Sequence, residues 1–213
     1  MYATALSSTR RVAGVPSIVS APGFSRPQQI SLFSAESGIY AQGERSGALY
    51  RIEFGAVRIY RLLADGRRQV VAFHLAGETF GFEANPSHSF FAEAMVRTGV
   101  RTLNHSTNDE AASELMALAL RSMIRAQEHL LVVGRQSAVE KLAVFLVDMA
   151  ERQGDLDHID LPMTRIDIGD YLGMTIETVS RSFAKLRDEG IVRLLNARSV
   201  EIIKPGRLRR LSR

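Results

Sequence analysis

Four side chains near the start of one predicted helix have the chemistry to read DNA bases: Ile176, Glu177, Ser180 and Arg181. An arginine can donate two hydrogen bonds to O6 and N7 of guanine, and a glutamate can accept one from the N4 amine of cytosine. A serine can bond a base edge or a phosphate, and an isoleucine can contact a thymine methyl group. Glu177 and Arg181 also fit an exposed i,i+4 ion pair that any helix can carry. The residues around this helix therefore have to distinguish base reading from a simple surface ion pair.

The residues around that helix are typical of a helix-turn-helix. Thr164 can cap a first helix, and Asp167 three residues later completes a capping box. Gly173 supplies a tight turn, and Thr175 caps the second helix, which ends at Gly190. Two short helices joined by a glycine-containing turn predict a DNA-binding motif whose second helix enters the major groove.

Two further features support this motif. Val179, Phe183 and Leu186 recur at three- or four-residue steps, so we expect them to pack inward and leave the four base-reading side chains outside. Gly169 lies where the two helices should cross, and a large side chain there would push them apart.

A β-hairpin is predicted after the motif, as the wing of a winged helix-turn-helix. Residues 191–195 and 199–203 are strand-like, and Arg198 lies at the tip between them. We expect Arg198 to contact a DNA phosphate, and Thr175 and Lys185 are further candidates for contact with the DNA backbone.

The charge distribution also points to an anionic partner. Residues 161–213 contain eleven basic and six acidic side chains, a net charge of +5, whereas residues 1–160 carry −1. A basic terminal domain on a near-neutral body favours a nucleic acid as partner. The alternative is a basic tail in solvent, and the arginines of 207–213 either extend the DNA-binding surface or form a disordered end.

Residues 28–107 are predicted to form an antiparallel β-sandwich or barrel. Tyr50, Ile52 and Phe54 alternate with polar positions, which predicts one buried and one exposed face. Asp65-Gly66 separates two such runs and predicts a hairpin turn in which both central residues have positive φ. Residues 1–27 are rich in Ser, Ala, Pro and Gly and are expected to form a flexible N-terminal arm.

A long helix is predicted over residues 108–134, followed by the DNA-binding domain over 135–213. A helix of about 25 residues is about 37 Å long, more than a small barrel needs to cover it. Its apolar stripe therefore favours a dimer interface between two copies of the chain, although one helix packed on its own barrel would also bury it. The predicted interface consists of Leu115, Leu118, Met123, Ala126, Leu130 and Val133.

Three segments resemble the CRP/FNR superfamily of bacterial transcription regulators: residues 77–81 (GETFG), 137–142 (SAVEKL) and above all 170–181 (DYLGMTIETVSR). The resemblance covers nearly all of the chain beyond the N-terminal arm. It implies an α+β fold with a β-roll of the cyclic-nucleotide-binding jelly-roll type, a long dimerisation helix and a C-terminal winged helix-turn-helix. It also implies a homodimer that binds double-stranded DNA at a palindromic promoter site and contacts RNA polymerase, in the cytoplasm and without a membrane partner.

Within that superfamily the chain looks most like the FixK-type branch. Ser180 stands where the cyclic-AMP branch has Gly, and Ile176 where that branch has Arg. The resemblance implies a TTGA-type site whose C·G pairs are read by Glu177 and Arg181. It further implies a regulator, expected to be an activator, of microoxic respiration, nitrogen fixation or denitrification genes.

The chain is not expected to carry a cofactor. It contains no cysteine, so the iron–sulfur cluster of FNR proper has no ligands. Thr164 stands about where some FixK-type regulators have an oxidation-sensitive cysteine, so no thiol switch is expected. The Arg-Ser pair that anchors the phosphate in cyclic-nucleotide receptors is replaced by His88-Ser89, and Phe90 and Phe91 are expected to fill the cavity.

Two alternatives stay open at this point. The β-roll could bind haem or another small ligand, with His74 or His88 as the haem ligand. The barrel could also be a cupin-like metalloenzyme, but His74 and His88 lack the HxH spacing of such sites. The leading hypothesis is therefore a regulator without enzymatic activity that binds DNA without an effector.

Overall fold

The computed structural model describes residues 29–103, 109–135, 137–154 and 157–212, so the predicted N-terminal arm lies outside the described residues. Its N-terminal part is built from eight strands, which we call the β-roll (residues 30–103). The strands are β1 (Ile30–Phe33), β2 (Gly38–Tyr40), β3 (Leu49–Phe54), β4 (Ala56–Leu62), β5 (Arg68–Leu75), β6 (Thr79–Phe80), β7 (Phe91–Ala94) and β8 (Thr98–Leu103).

The eight strands form two four-stranded antiparallel sheets, which confirms the predicted β-roll. Their orders are β1-β8-β3-β6 and β2-β7-β4-β5. The two sheets enclose an apolar core that includes Ile52, Val57, Phe80 and Val100. Burial of these side chains from both sheets holds the roll closed.

One residue of the predicted alternating face lies outside this core. Phe54 is 40% exposed, whereas Ile52 is fully buried. The pairing of β3 with β8 shifts between Ile52 and Phe54, and such a β-bulge breaks the period-two alternation. The Phe54 ring instead lies over Gly99, where an added Cβ would meet it at 2.4 Å.

The β4–β5 hairpin turns at the predicted place but in a different conformation. Among the described residues of this turn only Gly66 has a positive φ, of 81°. The amide of Gly66 donates to the Leu63 carbonyl at 2.9 Å, so the chain makes an ordinary four-residue turn followed by one left-handed glycine. The prediction of positive φ at Asp65 was wrong, and its carboxylate instead accepts a hydrogen bond from the Arg67 amide at 3.0 Å.

The rest of the described chain is mainly helical. It consists of a long helix and the residues after it, which we call the C-terminal module (residues 137–212). The elements are α1 (Asp109–Val133), α2 (Ala138–Gln153), β9 (His158–Asp160), α3 (Arg165–Leu172), α4 (Ile176–Asp188), β10 (Val192–Asn196), β11 (Ser199–Ile202) and α5 (Pro205–Leu211). The strands β10, β11 and β9 form one antiparallel sheet.

The C-terminal arginines belong to a helix rather than to a disordered end. Pro205 begins α5, where its fixed φ suits the first helical turn. Leu208 is buried against α2, and the Arg135 guanidinium donates to the Ser212 carbonyl at 2.8 Å. Arg213 lies outside the described residues.

A single apolar core joins the β-roll to the C-terminal module. Phe73 of β5 lies edge-on to Phe145 of α2 at 6.2 Å between ring centroids, and 5.0 Å from the Tyr171 ring of α3. Val70 of β5 and Leu172 of α3 belong to the same buried cluster. The two parts therefore share the burial of apolar surface, which is the main stabilising contribution to folding.

Glu78, in the turn between β5 and β6, is an ionic centre of this junction. Its carboxylate accepts two hydrogen bonds from Arg152 of α2, at 3.0 and 2.8 Å, and one from Arg125 of α1 at 3.0 Å. The Nδ1 atom of His74 lies 3.5 Å away. Burial alone would raise the pKa of Glu78, but His74 and Arg152 outweigh that effect and lower the pKa to about 2.

We expect Glu78→Gln to lower the free energy of unfolding by roughly 2 kcal/mol, because an amide leaves two guanidinium groups without their carboxylate. Urea denaturation at neutral pH measures the change. Glu201→Gln is the control, since Glu201 pairs with Arg193, whose side chain is 63% exposed, and such surface pairs contribute at most about 1 kcal/mol.

The effect of Glu78→Gln should depend on pH. Because the folded-state pKa of Glu78 lies below its usual value of 4.5, the ionised carboxylate stabilises the fold fully above about pH 4.5. That contribution is lost as the pH falls toward 2. The stability difference between wild type and variant should shrink over that range, and a difference that stays constant would contradict the assignment.

Candidate DNA-binding interface

The helix-turn-helix begins with the predicted capping box. The Thr164 hydroxyl accepts from the Asp167 amide at 3.2 Å, and Asp167 Oδ2 accepts from the Thr164 amide at 2.9 Å. Two amides that α3 would leave without partners are thereby satisfied.

Two glycines set the angle between the helices. Gly173 ends α3 in the left-handed conformation, with φ of 65°. Gly169 faces the backbone of the turn, where an added Cβ would lie 2.6 Å from the Met174 carbonyl oxygen. The prediction that this glycine permits a close crossing is confirmed, with the turn itself as the neighbour rather than a side chain of α4.

The faces of α4 divide as predicted. Thr175 caps the helix through its hydroxyl, which accepts from the Thr178 amide. Val179, Phe183 and Leu186 are buried. The side chains predicted to read bases are all exposed: Ile176, Glu177, Ser180 and Arg181.

The two charged members of this set have different local partners. Arg181 donates from Nη2 to the Thr178 hydroxyl at 3.1 Å. Glu177 is held by its own backbone amide and by Thr175, which lower the pKa of its carboxyl. It therefore stays ionised and available as a hydrogen-bond acceptor at neutral pH.

The wing presents a basic tip beside α4. Arg198 is exposed, and its backbone is fixed on both sides. Its amide donates to Asn196 Oδ1 at 2.7 Å, and its carbonyl accepts from the Leu161 amide at 2.8 Å. Lys185 on α4 and Thr175 at its start are also exposed, so all three residues predicted to contact the DNA backbone are accessible to a phosphate.

Sequence reasoning missed Arg165, the first residue of α3. Its guanidinium lies over the Phe183 ring, with Cζ 3.3 Å from the centroid. Burial lowers the pKa of Arg165 to about 10, so the group remains charged at neutral pH. No signal in the sequence pairs these residues, which belong to different helices.

Most of the residues predicted for the dimer interface are exposed on α1. Met123, Ala126, Leu130 and Val133 are exposed, whereas Leu115 and Leu118 are half-buried. A period of 3.6 residues places further apolar side chains on the exposed face, and these were missing from the prediction. They are Met116, Leu120, Ile124 and Leu131.

In the β-roll, His88 and Ser89, which stand at the predicted position of the phosphate-anchoring pair, both contact other side chains of the chain. His88 is buried and stacks on Tyr40 at 3.6 Å between ring centroids. The Ser89 amide and hydroxyl donate to the Glu83 carboxylate at 2.7 and 2.9 Å. An acidic side chain of the chain itself therefore takes the donors that a ligand phosphate would need.

The two phenylalanines divide between the two sides of the sheet. Phe90 packs against the β-roll core, as predicted. Phe91 instead stacks on Tyr60 at 5.2 Å. The prediction that both fill the interior was wrong for Phe91, whose ring at the start of β7 packs on Tyr60 of the adjacent strand β4.

His74 lies against the Phe80 ring and beside Glu78, and burial lowers its pKa. No group of three or more His, Asp or Glu side chains in the described ranges is arranged to hold a metal ion. Within the same ranges, no helix has the length and apolar character needed to cross a membrane.

Two family patterns match the two halves of the chain. The pattern described as cyclic nucleotide-binding domain matches residues 31–111, and the Crp-like helix-turn-helix domain matches residues 140–211.

Whole-chain relatives agree with these matches. The nitrogen fixation regulation protein FixK of Rhizobium meliloti is 51% identical over 211 residues, which cover 99% of each chain. The protein of the same name from Azorhizobium caulinodans is 37% identical over 91% of this chain and 86% of its own. The solved structure of FixK2 from Bradyrhizobium japonicum superposes with a TM-score of 0.82 and 38% identity, covering 87% of this chain and 98% of that one.

We expect Gly169→Ala to lower the free energy of unfolding by about 1–3 kcal/mol, because the turn backbone must move away from the new methyl group. Thermal denaturation measures the change. Gly206→Ala is the matched control: it lies in α5 with nothing within 4 Å of the added Cβ, and should be neutral or stabilising by up to about 1 kcal/mol. Equal stability of both variants would refute the close approach.

Proposed function

The chain belongs to the CRP/FNR family of transcription regulators, and we propose that it is a FixK-type activator of nitrogen-fixation and microoxic respiration or denitrification genes. The proposal draws on the 51% identity to the Rhizobium meliloti FixK protein. Its carrying observation is the reading face of α4, on which four side chains with base-reading chemistry are exposed together. The proteins it resembles are regulators, and no enzymatic activity is proposed.

The four side chains divide the reading of one half-site. Arg181 leaves Thr178 and donates two hydrogen bonds to a guanine, while the ionised Glu177 accepts from a cytosine amine. Ser180 bonds a base edge or phosphate, and Ile176 contacts a thymine methyl group. This combination fits a TTGA-type half-site with its C·G pairs.

Contacts with the DNA backbone place α4 in the groove. Thr175 at the start of α4, Lys185 along it and Arg198 on the wing are exposed on this part of the surface. Such contacts fix register and contribute affinity that depends on salt and not on sequence.

Two copies of the chain would read a palindrome. The exposed apolar side chains of α1 extend along the helix from Met116 to Leu131, and a stripe of this length is suited to a helix–helix seam with a second copy. Two-fold symmetry would then place two α4 helices in successive major grooves about 34 Å apart. Activation would require contact between the bound dimer and RNA polymerase.

We propose that DNA binding needs no effector. Glu83 already holds the Ser89 donors, and the neighbouring His88 is stacked on Tyr40. The second candidate, a regulator that senses haem or another small ligand through His74 or His88, has less support. His74 and His88 each pack on an aromatic ring and lie near a carboxylate.

Selection of binding sites from random DNA, with purified protein and no added small molecule, tests this function. We expect enrichment of a TTGA-type palindrome. Enrichment only after addition of haem or a nucleotide would favour the ligand-sensing candidate. No enrichment under any condition would refute the proposal.

Arg181→Ala should weaken binding to the selected palindrome by about 1–3 kcal/mol per half-site and relax specificity at the contacted guanine. Arg198→Ala should instead weaken binding to all sequences alike and reduce the salt dependence by about one phosphate contact per subunit. Fluorescence anisotropy with matched and mismatched duplexes at several salt concentrations distinguishes loss of a base contact from loss of a phosphate contact. A sequence-selective loss for Arg198→Ala would contradict its phosphate role.

Leu120→Glu should convert the dimer into monomers, because it places a charge in the apolar seam. We expect the dimer dissociation constant to rise roughly 100-fold, or about 3 kcal/mol. Leu62→Glu is the matched control, since Leu62 is equally exposed but lies on the β4–β5 hairpin. Sedimentation velocity over a concentration series measures both, and a stable Leu120→Glu dimer would place the seam elsewhere.

A further inference from the structure

We propose that Arg68 and Asp170 are positioning residues for DNA reading. Together with Arg58 and Asp167 they hold the C-terminal module against the β-roll in the orientation that binding requires. We call these four residues the docking clamp. The inference rests on the proposed function, since it concerns how the same α4 face is presented to DNA.

The outer part of the clamp joins β5 to α3. Arg68 donates from Nε to Asp170 Oδ2 at 2.9 Å and from Nη2 to Asp167 Oδ1 at 2.6 Å. The side chain of Gln69 donates to the Asp170 carbonyl at 2.5 Å. Two consecutive residues of β5 therefore donate hydrogen bonds to a single turn of α3.

The inner part of the clamp is buried. Arg58 of β4 donates from Nη1 to Asp167 Oδ1 at 3.1 Å, and its Nη2 pairs with Glu93 at 2.9 Å and with Glu36. The Arg58 and Asp167 side chains are only 5% and 1% exposed. Removing one partner from such a buried pair leaves an uncompensated charge, so this contact resists separation of the two parts.

The two oxygens of Asp167 have separate partners. Oδ2 accepts from the Thr164 amide and hydroxyl, which completes the capping box. Oδ1 accepts from Arg58 and Arg68 of the β-roll. The carboxylate that begins α3 is thus the same group that attaches α3 to the β-roll.

The attachment reaches α4 through a rigid turn. The Met174 amide donates to the Gly169 carbonyl at 2.9 Å, and there is no room for a Cβ between α3 and this turn. Any fixed orientation of α3 therefore fixes α4. In the docked arrangement the four reading side chains remain exposed, so docking does not hide them.

Fixed orientation should favour binding. A palindrome requires two reading helices at one separation of about 34 Å. A module that swings on the end of α1 would lose more conformational freedom on binding than one already held in place. The clamp supplies this pre-organisation from the chain's own charges, which fits a regulator that needs no effector.

The test compares Arg68→Gln and Asp170→Asn with Arg67→Gln and Asp65→Asn. The control residues pair with each other at the tip of the same β4–β5 hairpin, away from the C-terminal module, and each matches a clamp variant in charge change. We expect each clamp variant to weaken binding to the palindrome by about 3- to 30-fold, and the controls to leave it unchanged. The double variant should be no weaker than Arg68→Gln alone, because Arg68→Gln already removes the arginine that pairs with Asp170.

A second measurement needs no DNA. The chain has no cysteine, so Ser31→Cys and Ala197→Cys place one spin label on β1 and one on the wing, both at exposed positions. Labelled chains diluted with unlabelled ones report the distance within a single chain. We expect a narrow distance distribution for wild type and both controls, and a broadened one for both clamp variants.

A purely structural role would lower the melting temperature without broadening the distances, and that result would overturn the proposal. Tighter DNA binding by the clamp variants would also overturn it, since the clamp would then be inhibitory. If wild type fails to bind the palindrome without effector, the proposed function fails. The label distances still decide whether the four residues hold the module.

Discussion

The structure depends on one buried carboxylate, that of Asp167, which is bound from two directions. Its Oδ2 atom satisfies the first turn of α3, and its Oδ1 atom receives two arginines from the β-roll. A carboxylate this deeply buried is tolerable only with such partners, because an unpaired charge in that place would be strongly destabilising. The geometry of the helix-turn-helix and its attachment to the rest of the chain are therefore not independent. Any change that moves α3 must either carry Arg58 and Arg68 along or give up their hydrogen bonds.

Apolar burial and charge have different roles at this junction. The shared core around Phe73 and Phe145 favours contact between the β-roll and the helices but allows many relative orientations, since burial is non-directional. The ionic centres restrict that choice. Glu78 binds arginines from α1 and α2 near one end of the core, and Asp167 binds arginines from β4 and β5 near the other. Contacts at two separated points fix an angle as well as a distance.

The β-roll shows a similar use of internal charge. The donors of Ser89, which stand in the place of a phosphate anchor, are taken by the Glu83 carboxylate. The Ser89 donors thus have a partner within the chain, and the strands β4 and β5 are tied directly to α3 through Arg58 and Arg68. Such an arrangement suits a regulator that binds DNA without an effector, as proposed above.

The sequence by itself determined the features that arise from neighbours along the chain. The capping box of Thr164 and Asp167, the glycine at the turn, the two faces of α4 and the alternation along the strands follow from local spacing, and each was predicted. The features decided by tertiary structure join residues far apart in the chain. Arg58 and Asp167 are separated by 109 positions, and either side chain alone is typical of an exposed charge. The apolar side chains of α1 lie on more than one helical stripe, and only packing against the rest of the chain determines which of them are left exposed. Likewise Phe54 lies outside the core because a bulge, which no local pattern announces, turns its strand. Local sequence specifies which elements form, whereas the pairing of distant charges and faces depends on how those elements pack.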